Sequence, residues 1–203
     1  MSSNKELTIC PVYYSALSKK FVELNAELTK KLNKGSNWVW LVGDNTPPGF
    51  SDKLDEKEFK IVRGFDQSDP RELGSYFEDA VRYKNKIFCY WHGATLNKMI
   101  KEVKTRYLLV LDNNFLIVRP DWIEKSLEYM KKNDLGFFGA TNPPAAYKKY
   151  RYFPEVHCMF IDLEKVPISE LDFMPYFELK AEGRVWLANA YFRKRLGVGA
   201  SRD

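Results

Sequence analysis

Three residues in a row carry the strongest chemical potential in this chain. Asp112, Asn113 and Asn114 follow an unbroken apolar run from Tyr107 to Leu111. The run is too short for an ordinary helix and branched enough for a strand buried on both faces. Parallel sheets place their ligand sites just past the carboxyl ends of such strands. A carboxylate there, followed by amide oxygens, can bind a divalent cation that in turn holds a phosphate. The plainer alternative is that Asp112 only begins a polar turn.

Two other strand-like runs end in polar groups. Leu7–Val12 contains Pro11 and leads into Tyr13, Tyr14 and Ser15, and Trp38–Val42 leads into Gly43, Asp44 and Asn45. A doubly wound sheet would bring all three ends to one edge. There Asp44 could accept from a base N–H or a ribose hydroxyl, or it could cap the loop at Thr46. A tyrosine at Tyr13 or Tyr14 could stack on a base, or pack under a helix. His92 and His157 are the only histidines. His157 lies in an apolar strand-like run, which favours a structural role, yet a borderline ion such as manganese accepts one imidazole among oxygens.

The elements needed to position these groups are legible in outline. Phe21, Leu24, Leu28 and Leu32 form one helical stripe, with Gly35 as its stop. Phe59–Val62 reads as a strand. Asp69-Pro70-Arg71-Glu72 reads as a helix start, with the face Leu73, Phe77, Ala80 and Val81. Ile87–Tyr90 reads as a short strand, and Leu96, Met99, Ile100 and Val103 as a helical stripe. Asp121 is expected to cap a helix bearing Ile123, Leu127 and Met130, with Glu124 reaching back. Leu135–Ala140 and Val156–Leu163 read as strands. A last helix is expected from about Val185 to Arg195, ending at Gly197. Strands alternate with helices through the first two-thirds, the pattern of a mixed, mostly parallel α/β sheet with helices on both faces.

Composition narrows the classes. The chain has 203 residues and no Ser/Gly linker, charge block or repeat, so one domain with a substantial core is expected. No apolar run is long enough to span a bilayer or to form a signal peptide. The three cysteines, Cys10, Cys89 and Cys158, are far apart in apolar runs. They read as buried reduced thiols, and a cytoplasmic location follows. The net charge of +5 suits an anionic ligand. Lys148, Lys149 and Arg151 interleave with Tyr147, Tyr150, Tyr152 and Phe153, and Arg193-Lys194-Arg195 forms a second basic group. The mixture could meet a sugar phosphate, nucleic acid or a membrane surface, or be a plain solvated loop. No Gly-x-Gly-x-x-Gly, no Gly-Lys-Ser phosphate loop and no Gly-x-Ser-x-Gly occurs, which argues against dinucleotide dehydrogenases, P-loop nucleotidases and ordinary serine hydrolases.

In order, Ile9-Cys10-Pro11-Val12-Tyr13-Tyr14, Val42-Gly43-Asp44, His92-Gly93-Ala94-Thr95-Leu96-Asn97, Leu111-Asp112-Asn113-Asn114 and Pro120-Asp121-Trp122-Ile123 resemble the motifs of GT-A glycosyltransferases, and within them inverting family 2. The likeness covers about Leu7 to Met130. It implies a single-domain, Rossmann-like GT-A fold, with a nucleotide-binding part over about 1–118 and an acceptor part over about 119–203. It also implies a nucleoside diphosphate sugar donor, bound Mn²⁺ or Mg²⁺, and transfer to an acceptor hydroxyl with inversion. By that likeness Pro11, Tyr13, Asp44, Asn97 and Asn113 would contact the donor, and Asp112 and Asn114 the metal. The family's second acid is an amide here, at Asn114, which implies weaker metal affinity or a further ligand such as His157. The general base would be Glu182, with Glu178 and Asp172 as alternatives. The acceptor would be a carbohydrate, glycoprotein or lipid, contacted by Tyr147–Phe153. No nucleic acid partner is expected, and peripheral contact with a membrane is compatible with the sequence. A nucleotidyltransferase, or a non-catalytic relative that binds a nucleotide or sugar, would share this architecture.

Overall fold

A computed structural model describes residues 5–35, 37–82, 87–141, 154–174, 176–179 and 185–188. Its centre is a seven-stranded sheet. The strands are β1 (Leu7–Cys10), β2 (Val12–Tyr13), β3 (Trp38–Asp44), β4 (Lys60–Arg63), β5 (Tyr107–Leu111), β6 (Phe137–Thr141) and β7 (Pro154–Asp162). The order is β2-β3-β1-β5-β7-β6, with β4 also paired to β3. Pairs among β1 to β5 are parallel, and β7 runs antiparallel to both β5 and β6. This is a mixed, mostly parallel Rossmann-like α/β sheet. Pro11 separates β1 from β2 because it has no N–H for the ladder; its carbonyl still accepts from Gly43 N–H at 2.9 Å.

Every residue of β1 and β5 is buried, and alternate side chains enter two cores. Leu7, Ile9, Tyr107, Leu109 and Leu111 pack with Val22 and Ala26 of α1 (Ala16–Leu32), and with Trp122, Ile123, Leu127 and Met130 of α4 (Trp122–Lys132). Cys10, Leu108 and Val110 face the other way, onto Leu96 and Met99 of α3 (Ile87–Met99). Helices therefore cover both faces. Among the described residues, no helix is long and apolar enough to cross a membrane.

Several elements differ from the sequence expectation, each for a physical reason. Ile87–Tyr90 is the first turn of α3 rather than a strand; a short apolar run looks the same in either element. Val185–Ala188 is a strand, β9, paired antiparallel with β8 (Tyr176–Leu179), where a helix was expected. The rest of that expected helix lies outside the described residues. Pro70–Tyr76 forms 3₁₀ turns capped by Asp69, followed by a short α2 (Phe77–Arg82). Glu72 accepts from Asp66 N–H at 2.9 Å, not from the cap residue.

The face that α1 buries is offset from the expected apolar stripe, of which Phe21, Leu28 and Leu32 are only partly buried, Leu32 against the core. Ser18, Val22, Asn25, Ala26 and Thr29 face inward, while Leu17 is 65% exposed and Leu24 37%. Small and polar side chains let the helix lie close to neighbouring backbone and bond to it. The Asn25 amide donates to the Asn113 carbonyl at 2.7 Å. Ser15 and Ser18 cap the helix reciprocally.

Asp121 sits at φ 54° and makes no side-chain cap. The cap comes from Asn33, whose Oδ1 accepts from Ile123 N–H at 3.0 Å while its amide donates to the Thr29 carbonyl at 2.9 Å. One buried side chain thus closes α1 and opens α4. Asn33→Ala is expected to cost about 1–2 kcal/mol, read as a lower urea midpoint. An unchanged midpoint would refute the shared cap.

Candidate functional site

The carboxyl ends of β1/β2, β3 and β5 share one rim, since Val12 and Tyr13 stand in register with Gly43 and Asp44, and Cys10 with Val110. The reversed strand β7 adds its beginning to the same rim, because Leu111 pairs with Cys158. Asp112 therefore emerges beside His157, and its N–H donates to the His157 carbonyl at 2.9 Å. Their side chains meet, with His157 Nδ1 bonded to Asp112 Oδ2. From α3, His92 Nε2 comes within 4.0 Å of Asp112 Oδ1. One carboxylate thus has an imidazole at each oxygen. Burial holds His92 below its usual range despite the pull of the Asp112 charge, so it is neutral near pH 7.

Asp44 lies on β3, two strand spacings or about 10 Å along the rim. Its carboxylate accepts from Thr46 N–H at 2.9 Å, Thr46 Oγ1 at 2.6 Å and Lys53 Nζ at 2.8 Å. Arg63 Nη1 is 3.2 Å from Oδ1. Burial opposes its ionisation, but the bonds from Lys53 and Thr46 outweigh that and hold its pKa below the ordinary 3.8. A depressed carboxyl stabilises the fold fully above its unfolded pKa, and that contribution drains away as pH falls below 3.8 toward the folded value. Lys53→Met is expected to raise the midpoint of acid unfolding followed by circular dichroism between about pH 5 and 2. An unmoved midpoint would remove Lys53 as the main stabiliser of that charge.

The remaining expected site residues divide between core, braces and unplaced groups. Pro11 and Tyr13 are buried. The Tyr13 hydroxyl makes no hydrogen bond of proper geometry, and burial together with the nearby Asp44 charge pushes its pKa well up. Its neighbour Tyr14 is the exposed ring, at 54%. The Asn113 amide donates to the Val12 carbonyl at 2.7 Å, tying the end of β5 to β2. Asn97 donates to Asp172 Oδ1 at 2.7 Å and accepts from Phe173 N–H at 2.8 Å. Asp172 Oδ1 also accepts from Met174 N–H at 2.9 Å. These two side chains pin the segment around Phe173 against α3, where Gly93 leaves room: a Cβ on it would stand 2.4 Å from the Phe173 carbonyl oxygen. Asn114 is exposed. Glu178 lies on β8 in register with Trp186. Glu182 and the basic-aromatic stretch Tyr147–Phe153 lie outside the described residues.

His92, Lys53 and Arg63 were not singled out as rim residues by sequence. Only for His92 was a signal available, its place beside Gly93 in a motif already noted. Cys10, Cys89 and Cys158 form no disulfide; Cys10 and Cys158 are buried as expected, Cys89 only partly, and burial pushes Cys158 up to about 11, out of reach of easy ionisation.

Among the described residues, no group of three or more His, Cys, Asp or Glu side chains is gathered to hold a metal ion. The donor chemistry at the rim nevertheless suits a borderline ion: the Asp112 carboxylate, the His157 imidazole and, close by in sequence, the exposed Asn114 amide.

No protein-family model matches the chain, and no curated protein matches it in sequence. Among solved structures, it is similar to the mannosyltransferase PcManGT of Pyrobaculum calidifontis, in complex with GDP-Man and Mn²⁺, at TM-score 0.47 and 10% identity, covering 80% of this chain and 46% of that one. It is similar to S. aureus TarS 1–349 at TM-score 0.46 and 12% identity, covering 87% of this chain and 52% of that one. A third similarity is to the 2-C-methyl-D-erythritol 4-phosphate cytidylyltransferase of Thermus thermophilus, at TM-score 0.43 and 10% identity, covering 95% of this chain and 79% of that one. The chain thus spans about half the length of the first two. At such identities a shared activity does not follow from a shared architecture.

Proposed function

We propose that this chain transfers a sugar from a nucleoside diphosphate sugar to an acceptor hydroxyl, with inversion. The observation that carries the reading is the placement of Asp112. It stands at the tip of a buried parallel strand, on the rim where β1/β2 and β3 also end, with an imidazole at each carboxylate oxygen. That is where an open α/β sheet takes its ligands.

In this reading Asp112 and His157 hold Mn²⁺ or Mg²⁺, with Asn114 as a weaker neutral donor. The chemistry a divalent ion supplies there, when bound, is to offset the charge building on a leaving diphosphate. Asn113 keeps Asp112 in place by bracing β5 against β2. His92, neutral and behind Asp112, limits where that carboxylate can turn. The proton of the attacking hydroxyl goes to a carboxylate general base; Glu182 takes that role, with Glu178 and Asp172 as alternatives. Residues of about 1–118 form the donor half and about 119–203 the acceptor half of one domain. The acceptor is a carbohydrate, free or carried on protein or lipid.

A second reading, a nucleotide- or sugar-binding relative without turnover, has one observation in its favour. Asp44 and Asn97, two groups expected to reach the donor, are both occupied by the protein's own donors and acceptors. The two readings part in one experiment. The chain is incubated with UDP- and GDP-sugars and Mn²⁺, and released nucleoside diphosphate is measured beside calorimetric nucleotide binding. Release that stops on chelation is expected. Binding without release would establish the second reading, and neither would overturn both.

A further inference from the structure

We propose that Phe88 is a stacking platform for a pyranose ring over the Asp112 rim, an assignment that rests on the glycosyl-transfer reading above. Phe88, His92, Thr95 and Met99 fall at successive i, i+4, i+7 and i+11 positions of α3, a single row on one face. Three of the four have defined neighbours. Met99 and Thr95 lie so close over β3 that a Cβ on Gly43 would stand 2.8 Å from Met99 Sδ and 2.6 Å from Thr95 Cγ2. Thr95 Oγ1 also donates to Asn45 Oδ1 at 2.7 Å, one residue past the end of β3. His92, the next turn, reaches Asp112. The row thus climbs from the sheet to its rim, and the following turn carries Phe88 beyond it.

Phe88 is 62% exposed, although both Tyr90 and Trp91 beside it are buried. A phenyl ring has no hydrogen-bonding group. It stacks on a flat apolar face or attracts a cation, so the polar contacts of any neutral occupant must come from elsewhere. A pyranose meets that description: one face of C–H bonds, with hydroxyls around the edge for the polar groups of the rim. A nucleobase would suit a ring equally well, but its expected place is the Asp44 end of the rim. Phe88 stands instead one helical turn from the residue that touches Asp112, where the sugar-bearing end of a donor and its acceptor would meet.

The pyranose could belong to the donor or to the acceptor, and saturation-transfer NMR on the whole chain separates them. The probes are methyl α-mannopyranoside and methyl β-glucopyranoside, then GDP-mannose and UDP-glucose, then GDP and UDP. Each is run with wild type, Phe88→Ala and Phe88→Trp. Saturation of pyranose ring protons is expected in wild type, about tenfold weaker in Phe88→Ala and restored in Phe88→Trp. Base protons of GDP and UDP should be unchanged by either substitution. Loss with the free glycosides identifies an acceptor ring, and loss confined to the nucleotide sugars a donor ring. The assignment is overturned if base protons weaken instead, if Phe88→Ala matches wild type, or if no pyranose is saturated. Failure of the glycosyl-transfer reading has a different signature: GDP and UDP unsaturated in wild type, and no diphosphate released.

Discussion

Asp112→Asn is expected to lower sugar transfer by about a thousandfold, or about 4 kcal/mol of barrier, while the melting temperature stays within a few degrees. The carboxylate is partly exposed at the rim, so the isosteric amide leaves no cavity. The N–H that bonds the His157 carbonyl and the carbonyl that accepts from Phe115 are untouched. What is lost is the full negative charge between two imidazoles. With an amide already at Asn114 and Asp44 held by Lys53, the tip of β5 would then offer a cation only neutral oxygens and imidazole. Two measurements check this: diphosphate release, and calorimetric nucleotide affinity with and without Mn²⁺. The substitution should abolish the metal's effect on affinity. Transfer within about threefold of wild type would place the chemistry elsewhere.

Gly93→Ala is expected to destabilise the fold strongly although it adds only one methyl to α3. Its Cβ would lie 2.4 Å from the Phe173 carbonyl oxygen and 2.9 Å from the carbonyl carbon. The obstacle is backbone, pinned by Asn97 and Asp172, so it cannot swing aside as a side-chain tip would. A loss of about 2–3 kcal/mol is expected, from overpacking that outweighs the helix preference for alanine. Because His92 precedes Gly93, any displacement of α3 also carries an imidazole away from Asp112. Calorimetric melting and diphosphate release should fall together. Full stability in the variant would show that the segment around Phe173 is free to move.

Much of the sheet was legible because β3 and β5 are continuous apolar runs with a polar stop, as a strand buried on both faces requires. The amphipathic stripe of α4 was equally plain, as Ile123, Leu127 and Met130 all point into the core. The errors share a cause. Ile87–Tyr90 belongs to a helix with apolar residues on most sides, so periodicity had nothing to report. The buried face of α1 relies on small and polar residues, Ser18 closing the local cap and Asn25 bonding the distant Asn113 carbonyl, a contact invisible without the fold. The Asp112–His92–His157 grouping depends on three elements converging. His157 enters the sequence reading as a further metal ligand through the family likeness, His92 enters it with no site role, and nothing in spacing reveals that β7 runs backwards.

That reversal bears on how such a protein could diverge. Because β7 begins at the rim, the length of chain between Thr141 and Pro154 can change without shifting any register among β5, β7 and β6. The strand order β5-β7-β6 then works as a fixed chassis. Related chains would be expected to vary most in length just ahead of β7, and least between Tyr107 and Asp112.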